Sequence, residues 1–284
     1  MIYTLKQKVF DSLIVFMLVM STGGLLFVFN RNLSYLVFIC LLLTTILFLG
    51  KGIIRSKINS AILTFFSIGS LFVINYIFAI NEQKDSKYLY YLMVGLVSVL
   101  VLYHFSNNRN FQILLERIYS VLKLIVFHAL LSFIAFFFIR NSITTISSTY
   151  HECETFLHIF FYTTDRGIMN LFGIEFCRNQ GLFWEPGVLQ GFLNMFFFLE
   201  AFIIKKRKSL LLLTAVVILT TYSTTGLALL LIQSVVYVFN EFKTNKWFPP
   251  LVLGLCIPVY MIFSMNIEEK IQGEKEASFQ KRYF

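Results

Sequence analysis

Apolar runs close to twenty residues long recur along the whole chain, and they limit its possible folds more than any other feature. A helix needs about 20 consecutive apolar residues to cross a bilayer. The composition agrees, since only 14% of the residues are charged, against about 25% in soluble domains. Runs such as 41–43 and 136–138 do not alternate as the strands of a membrane barrel do. The sequence therefore predicts an all-α, polytopic helical membrane protein.

The apolar segments predict about nine transmembrane helices in a single transmembrane domain that covers residues 1–284. The first segment leads directly into the second, which argues against a cleaved signal peptide. No convincing internal repeat accompanies them, which weakens a transporter with inverted repeats. The segments are 13–29, 33–50, 60–80, 88–105, 119–139, 187–204, 209–222, 224–240 and 248–265.

Lysines and arginines indicate which ends of these segments face the cytoplasm. Basic residues crowd the N-terminus and the connections after the second, fourth, sixth and eighth segments, most densely at 205–208. The positive-inside rule then places the N-terminus in the cytoplasm and explains the net charge of +9 without a nucleic-acid partner. Residues 140–186 become a long extracytoplasmic loop, and 266–284 begin a second extracytoplasmic segment. Within the loop, 156–162 is too short to span and is expected to lie in the interface as an amphipathic turn.

A polar stretch at 177–187, Cys-Arg-Asn-Gln-Gly-Leu-Phe-Trp-Glu-Pro-Gly, opens the sixth apolar segment. It has an ordinary interpretation. Pro186 suits the first turn of a helix, and Glu185 before it complements the helix dipole. Arg178 and Trp184 are residue types that anchor a helix end at the headgroups.

The same stretch also has a functional interpretation. A helix N-terminus beside an arginine attracts anions, and a guanidinium binds phosphate oxygens in a bidentate manner. A nearby carboxylate can accept a proton from a hydroxyl. Arg178 and Glu185 are therefore candidate catalytic residues. Asp165, Arg166 and Glu175 in the same loop are either solvated charges or further contributors to this anion site.

Four residues of the loop are of the types that bind zinc, but their spacing matches no zinc pattern; they are His151, Cys153, His158 and Cys177. Cys153 and Cys177 share the predicted outer side, where the compartment is oxidising. The residues leave open whether these two form a disulfide or remain thiols.

Two further features lie within the apolar segments. Glu200 is a carboxylate well inside a run, which by default suggests a function. Its distance of five residues from Lys205 favours a simpler pairing near the cytoplasmic interface. The stretch 222–226, Tyr-Ser-Thr-Thr-Gly, is predicted to form the outward turn between two segments. Its small polar residues either allow close helix packing or line a cavity that holds sugar hydroxyls.

Several common catalytic motifs are missing from the sequence. There is no Asp-x-Asp, no phosphate-binding Gly-x-x-x-x-Gly-Lys, no His-Glu-x-x-His and no Gly-x-Ser-x-Gly. We therefore expect no nucleotide or metal cofactor. Any reaction is expected to use a substrate that arrives already activated, at the outer face.

The pattern Arg178-x-x-Gly181-Leu182-Phe183-x-Glu185-Pro186 resembles the motif region of the O-antigen polymerase/ligase superfamily. The later Ser223-Thr224-Thr225-Gly226-Leu227 is similar to the small-polar motif that follows in these proteins. The aromatic-rich helices resemble the Wzy-type polymerases of O-antigen or capsule repeat units. By motif, the resemblance covers roughly 170–235, and the rest by hydropathy only.

This resemblance implies a multi-helix membrane glycosyltransferase of lipopolysaccharide biosynthesis in the cytoplasmic (inner) membrane. Its substrate would be undecaprenyl-pyrophosphate-linked oligosaccharide, and its partners membrane lipid and a regulator of chain length. Arg178 would bind the pyrophosphate, and Glu185 would position Arg178 or act as base. The substrate-binding candidates are Asp165, Arg166, Trp184, Ser223 and Thr224.

Three alternatives to a polymerase stay open at the level of sequence. They are an O-antigen ligase that transfers glycan to lipid A-core, a lipid or sugar transporter, and a non-catalytic membrane scaffold. Family members are usually longer and carry a second large outer loop. This leaves open that the chain is a fragment lacking part of the site, with Lys281 and Arg282 at the start of that loop.

Overall fold

The chain forms two compact units, Met1–Val121 and Leu122–Phe284. The computed structural model describes residues 4–49, 55–78, 85–108, 110–148, 151–164, 168–171, 173–204 and 207–242, with positions 250, 254, 257, 260, 261 and 264.

Helices make up the described part of the first unit, and a sixth helix begins there and continues into the second. They are α1 (Leu5–Ser21), α2 (Leu25–Phe29), α3 (Arg31–Phe48), α4 (Arg55–Phe78), α5 (Asp85–Asn108) and α6 (Phe111–Ile139).

The first apolar segment, which we predict as one helix over 13–29, is two helices separated by glycines. Gly23 has a φ of 138°, a conformation that side chains other than glycine rarely adopt. A Cβ on Gly24 would lie 2.7 Å from the Met20 sulfur atom. The chain therefore turns at this pair and ends α1 before the segment is complete.

The second unit combines helices with short strands in its described residues. A 3₁₀ turn (Arg140–Ser142) follows α6, and a π-helical turn (Leu199–Ile204) continues α7. The other elements are β1 (Thr144–Ser147), β2 (Glu152–Phe156), β3 (Phe160–Tyr162), β4 (Ile168–Leu171), β5 (Ile174–Cys177), α7 (Pro186–Phe198), α8 (Lys208–Thr220) and α9 (Thr224–Phe242).

Within the described residues, six helical stretches are long and apolar enough to cross a membrane, and the fold is that of an all-α polytopic membrane protein. α8 has 13 residues, about 20 Å at 1.5 Å per residue, whereas the hydrocarbon core is about 30 Å thick. The predicted segment 248–265 falls largely outside the described residues, so nine crossings stay a prediction. The six are Arg31–Phe48, Lys57–Phe78, Tyr88–Ser106, Phe111–Ser142, Pro186–Ile204 and Thr224–Glu241.

The region that we predict as a long loop contains two small antiparallel sheets. The first has the order β1-β2-β3, and the second pairs β4 with β5. The prediction of an amphipathic turn over 156–162 is wrong, because this stretch is the tight turn and third strand of the first sheet. Leu157 and His158 make the turn with φ values of 54° and 55°. Pairing between strands provides hydrogen bonds for the backbone N–H and C=O groups here, and local periodicity does not reveal this pairing.

Both sheets pack against the C-terminal half of α6. Phe136 lies with Tyr162 and Cys177 in one buried cluster. A second cluster joins Phe176 and Tyr222 to Met169, with Phe133 packed against it. These contacts place the end of β5, and hence the polar stretch that follows it, between α6 and the turn that precedes α9.

Candidate functional site

α7 begins where the sequence predicts. Glu185 is the last extended residue, with φ −151° and ψ 155°, and Pro186 takes the first position of the helix. The half-buried Glu185 side chain folds over the first turn, so that a Cβ on Gly187 would lie 3.0 Å from its Oε1. Its carboxylate therefore lies at the positive end of α7. The structure records no ion pair between Glu185 and Arg178.

Arg178 lies next to the second predicted motif. Its Nε donates a hydrogen bond to the carbonyl oxygen of Thr221 at 3.3 Å, across 43 residues of sequence. Thr221 is fully buried and caps α8 immediately before the 222–226 turn. The fold thus brings the arginine to the segment that carries Ser223 and Thr224.

Asn179 fixes this arrangement, and sequence reasoning missed it. Its backbone N–H donates to the carbonyl oxygen of Thr220 at 3.0 Å. Its Nδ2 donates to the carbonyl oxygen of Ala129 at 2.8 Å and to Thr220 Oγ1 at 2.9 Å. One buried amide therefore ties the chain beside Arg178 to both α6 and α8. The only feature of the sequence that could have identified Asn179 is that it is a polar side chain within the polar stretch 177–187.

The turn predicted at 222–226 is shorter in the structure, because 222–223 lie between α8 and α9 whereas 224–226 belong to α9. Ser223 is buried, and Thr224 is the first residue of α9. A Cβ on Gly226 would lie 2.8 Å from Gln190 Oε1 and 2.9 Å from Gln190 Cβ. Asn194 Nδ2 also donates to the Gly226 carbonyl oxygen at 3.3 Å. Of the two interpretations of this turn, close helix packing describes Gly226.

Trp184 lies on the surface beside the first sheet. Its side chain is 41% exposed, and its ring meets that of His151 edge to face at a centroid distance of 6.2 Å. Burial lowers the pKa of His151 below its usual value of 6.5. An exposed tryptophan is suited to stacking on a ligand ring. Asp165 and Arg166, the other loop candidates, lie outside the described residues.

A carboxylate that sequence reasoning did not single out lies near the polar stretch. Glu154, on β2, accepts a hydrogen bond from Thr164 Oγ1 at 2.5 Å through its Oε1. The neighbouring Thr163 donates through Oγ1 to Gln180 Oε1 at 2.7 Å. Gln180 belongs to the polar stretch itself. The first sheet and the polar stretch are thus joined through two consecutive threonines.

Cys153 and Cys177 are both free thiols, which answers the question that the sequence left open. Burial raises the pKa of Cys177 to about 11; the negative charge of Glu154 adds to this rise, whereas the charges of Arg178 and Arg140 oppose it. Burial also raises the pKa of Cys153 to about 12. Both thiols are therefore protonated near neutral pH, and neither has the character of a nucleophile.

The two other charged candidates, Glu175 and Glu200, each have a partner outside the polar stretch. Glu175 forms an exposed ion pair with Arg140, whose Nη1 lies 2.9 Å from its Oε2. Buried Glu200 accepts a hydrogen bond from the Arg207 backbone N–H at 2.5 Å. It lines a cavity of about 300 Å³ with Lys208 and others. Nowhere in the described part of the chain do three His, Cys, Asp or Glu side chains gather as a metal site.

Comparisons with protein-family models, curated proteins and solved structures find no match for this chain. The resemblance to the O-antigen polymerase/ligase superfamily therefore remains a prediction from the motifs.

Proposed function

We propose that this protein is a membrane glycosyltransferase that polymerises undecaprenyl-pyrophosphate-linked repeat units into O-antigen or capsular polysaccharide. The observation that carries the proposal is the hydrogen bond from Arg178 to the Thr221 carbonyl oxygen. It joins the first motif to Thr221, two residues before the second motif on which the family resemblance rests. Chance similarity of two short motifs would not require them to meet in the fold.

The chemistry of this transfer suits an arginine held in a fixed position. When the bond between the anomeric carbon and the pyrophosphate oxygen breaks, negative charge grows on the departing pyrophosphate. A preorganised cation stabilises such charge, and removal of one such contact typically costs about 10²–10³ in rate. In the proposal Arg178 takes this role, and its bond to Thr221 together with Asn179 supplies the preorganisation.

The remaining site residues have supporting roles in the proposal. Glu185 lies at the N-terminus of α7, near the helix dipole that also attracts the pyrophosphate. The exposed ring of Trp184 offers a stacking surface for a sugar. Ser223 and Thr224 supply hydroxyls two and three residues after Thr221, the partner of Arg178, and Asp165 and Arg166 would extend the binding surface.

The proposal includes a membrane arrangement. The protein crosses the cytoplasmic (inner) membrane nine times with its N-terminus in the cytoplasm, so that 140–186 lies on the outer side. The distribution of basic residues along the sequence supports this orientation. The substrate is then lipid-linked oligosaccharide in the outer leaflet, and a separate membrane protein regulates chain length.

Arg178→Ala tests the proposal in a strain in which the gene is deleted and then restored on a plasmid. We expect loss of long glycan chains on gels of surface polysaccharide, with the variant protein present at the normal level. Arg140→Ala is the matched control, because Arg140 is an exposed arginine of the same region. Long chains that persist unchanged in Arg178→Ala would refute the catalytic assignment.

The deletion strain also separates the alternative activities. A polymerase defect leaves single repeats attached to lipid A-core. A ligase defect instead removes O-antigen from lipid A-core completely. Movement of lipid-linked sugar across vesicles by the purified protein, without glycan elongation, would identify a transporter.

A further inference from the structure

Glu154 holds a carboxylate oxygen that is buried and unused. The residue lies on β2, the central strand of the first sheet. Its Oε1 accepts the hydrogen bond from Thr164, but its Oε2 is buried without a hydrogen-bond partner in the described part of the structure. Burial of a polar atom without a partner costs free energy. Such an oxygen is suited to accept a hydrogen bond from a ligand.

Gln180 presents the complementary group. Its side chain is 1% exposed, and its Oε1 is occupied by Thr163. Its Nε2 is buried and, among the described residues, has no acceptor. Adjacent threonines hold the two side chains, so an unused acceptor and an unused donor belong to one connected group. Hydroxyl groups, which both donate and accept, match this pair, and sugars carry many of them.

This group lies close to Cys177, the residue before Arg178. Glu154 pairs with Tyr162 across the sheet, and Tyr162 packs against Cys177, the residue before Arg178. Cys177 Sγ is also 3.7 Å from the carbonyl oxygen of Thr163. The charges of Glu154 and Arg178 both reach the Cys177 thiol and act on its pKa in opposite directions. Glu154 and Arg178 are therefore both near enough to Cys177 to act on it electrostatically.

We propose that Glu154 is the catalytic base of the site, which binds the attacking hydroxyl of the acceptor sugar and takes its proton. This inference rests on the proposed glycosyl transfer. The acceptor oxygen forms a bond to the anomeric carbon of the donor as the bond from that carbon to the pyrophosphate oxygen breaks. The hydroxyl proton passes to Glu154 Oε2, and the electron pair leaves with the lipid pyrophosphate beside Arg178. Gln180 Nε2 donates to an oxygen of the acceptor sugar.

This assignment separates the roles of two glutamates. Glu185 lies over the first turn of α7, where the helix dipole favours a negative charge and an anionic ligand alike. Glu154 instead has a buried Oε2 atom that can accept a hydrogen bond from a ligand. Glu154 therefore serves the acceptor, whereas Glu185 belongs to the pyrophosphate side of the site.

The test uses the full chain in liposomes, with lipid-linked single repeats extracted from the deletion strain as substrate. Glu154→Gln keeps the size of the side chain and an oxygen that can accept from Thr164, but it cannot take a proton. We expect elongation to fall by about 10²-fold or more, which is the usual contribution of a general base. Glu152→Gln, an exposed glutamate on the same strand, is the matched control and should elongate at the wild-type rate.

A second variant distinguishes a base from a merely structural glutamate. Glu154→Ala leaves room for a small carboxylate, so added formate should restore part of the lost elongation. Lack of rescue, or a Glu154→Gln rate near wild type while Arg178→Ala is inactive, would overturn the role of Glu154 alone. Wild-type rates in both Glu154→Gln and Arg178→Ala would overturn the proposed function as well.

Discussion

In the first unit, His104 Nε2 lies 2.8 Å from Asp11 Oδ1, and both side chains are completely buried. The two residues are 93 positions apart, on α5 and α1. Loss of a buried side-chain hydrogen bond commonly costs about 1–3 kcal/mol. The pair therefore ties α1 to α5.

Asp11→Ala should lower the free energy of unfolding in detergent by about 1–3 kcal/mol, the usual cost of a lost buried hydrogen bond. Asp11→Asn should lower it less, because the amide can still form a hydrogen bond to His104. Thermal unfolding of the purified variants measures both effects. Val9→Ala, an exposed change on the same helix, is the control. Equal midpoints for Asp11→Ala and Val9→Ala would contradict the structural role of the pair.

Gly226→Ala should destabilise the packing of α9 against α7. The new Cβ would lie 2.9 Å from Gln190 Cβ, an atom that cannot move away by simple rotation of a flexible chain end. Overpacking of this kind typically costs about 1–3 kcal/mol. Gly191→Ala on α7 is the matched control, since a Cβ there meets no atom within 4 Å. Thermal midpoints of the two variants should differ, and equal midpoints would count against this contact.

The raised pKa of Cys177 predicts a loss of stability at high pH. Folding raises this pKa from 9.0 to about 11, so the folded state retains its proton longer than the unfolded state. The stabilisation is complete below pH 9 and is lost as pH rises to about 11. Two pKa units correspond to a loss of up to about 3 kcal/mol.

Denaturation curves from pH 8 to 11 measure this loss of stability, and the decline should be smaller in Cys177→Ala. A decline that is the same in Cys177→Ala would refute the assignment of the pH effect.

Alkylation after denaturation without reductant should modify both Cys153 and Cys177, because both are free thiols. A mass that shows a Cys153–Cys177 disulfide would contradict the structure.

Local physics explains which predictions from sequence succeeded. The start of α7 depends on adjacent residues alone, since Glu185 complements the helix dipole and Pro186 suits the first helical turn. The long apolar helices likewise follow from the composition of each segment. The division of 13–29 into two helices is equally local, because Gly23 adopts a φ of 138°, but the apolar pattern alone predicts one helix there.

The sheets and the interior of the site depend on contacts that local patterns do not encode. Thr144 on β1 pairs with Thr155 on β2, and Glu154 on β2 pairs with Tyr162 on β3. These three strands are only three to five residues long. Strand pairing depends on partners that periodicity cannot identify in such short runs. The sequence therefore predicts only a long loop at 140–186, and no local pattern identifies Glu154 as a candidate site residue.

The sequence by itself determined that this is a helical membrane protein with Arg178 and Glu185 shortly before the start of one helix. Hydropathy and the preferences of a helix N-terminus act over a few residues, so local sequence is enough to specify them. Only the tertiary structure decided what these residues meet. It placed Arg178 against Thr221, 43 residues away, and Glu154 beside Thr164 and the polar stretch. Hydrogen bonds between distant segments depend on how helices and strands pack, and no local pattern of residues specifies that packing.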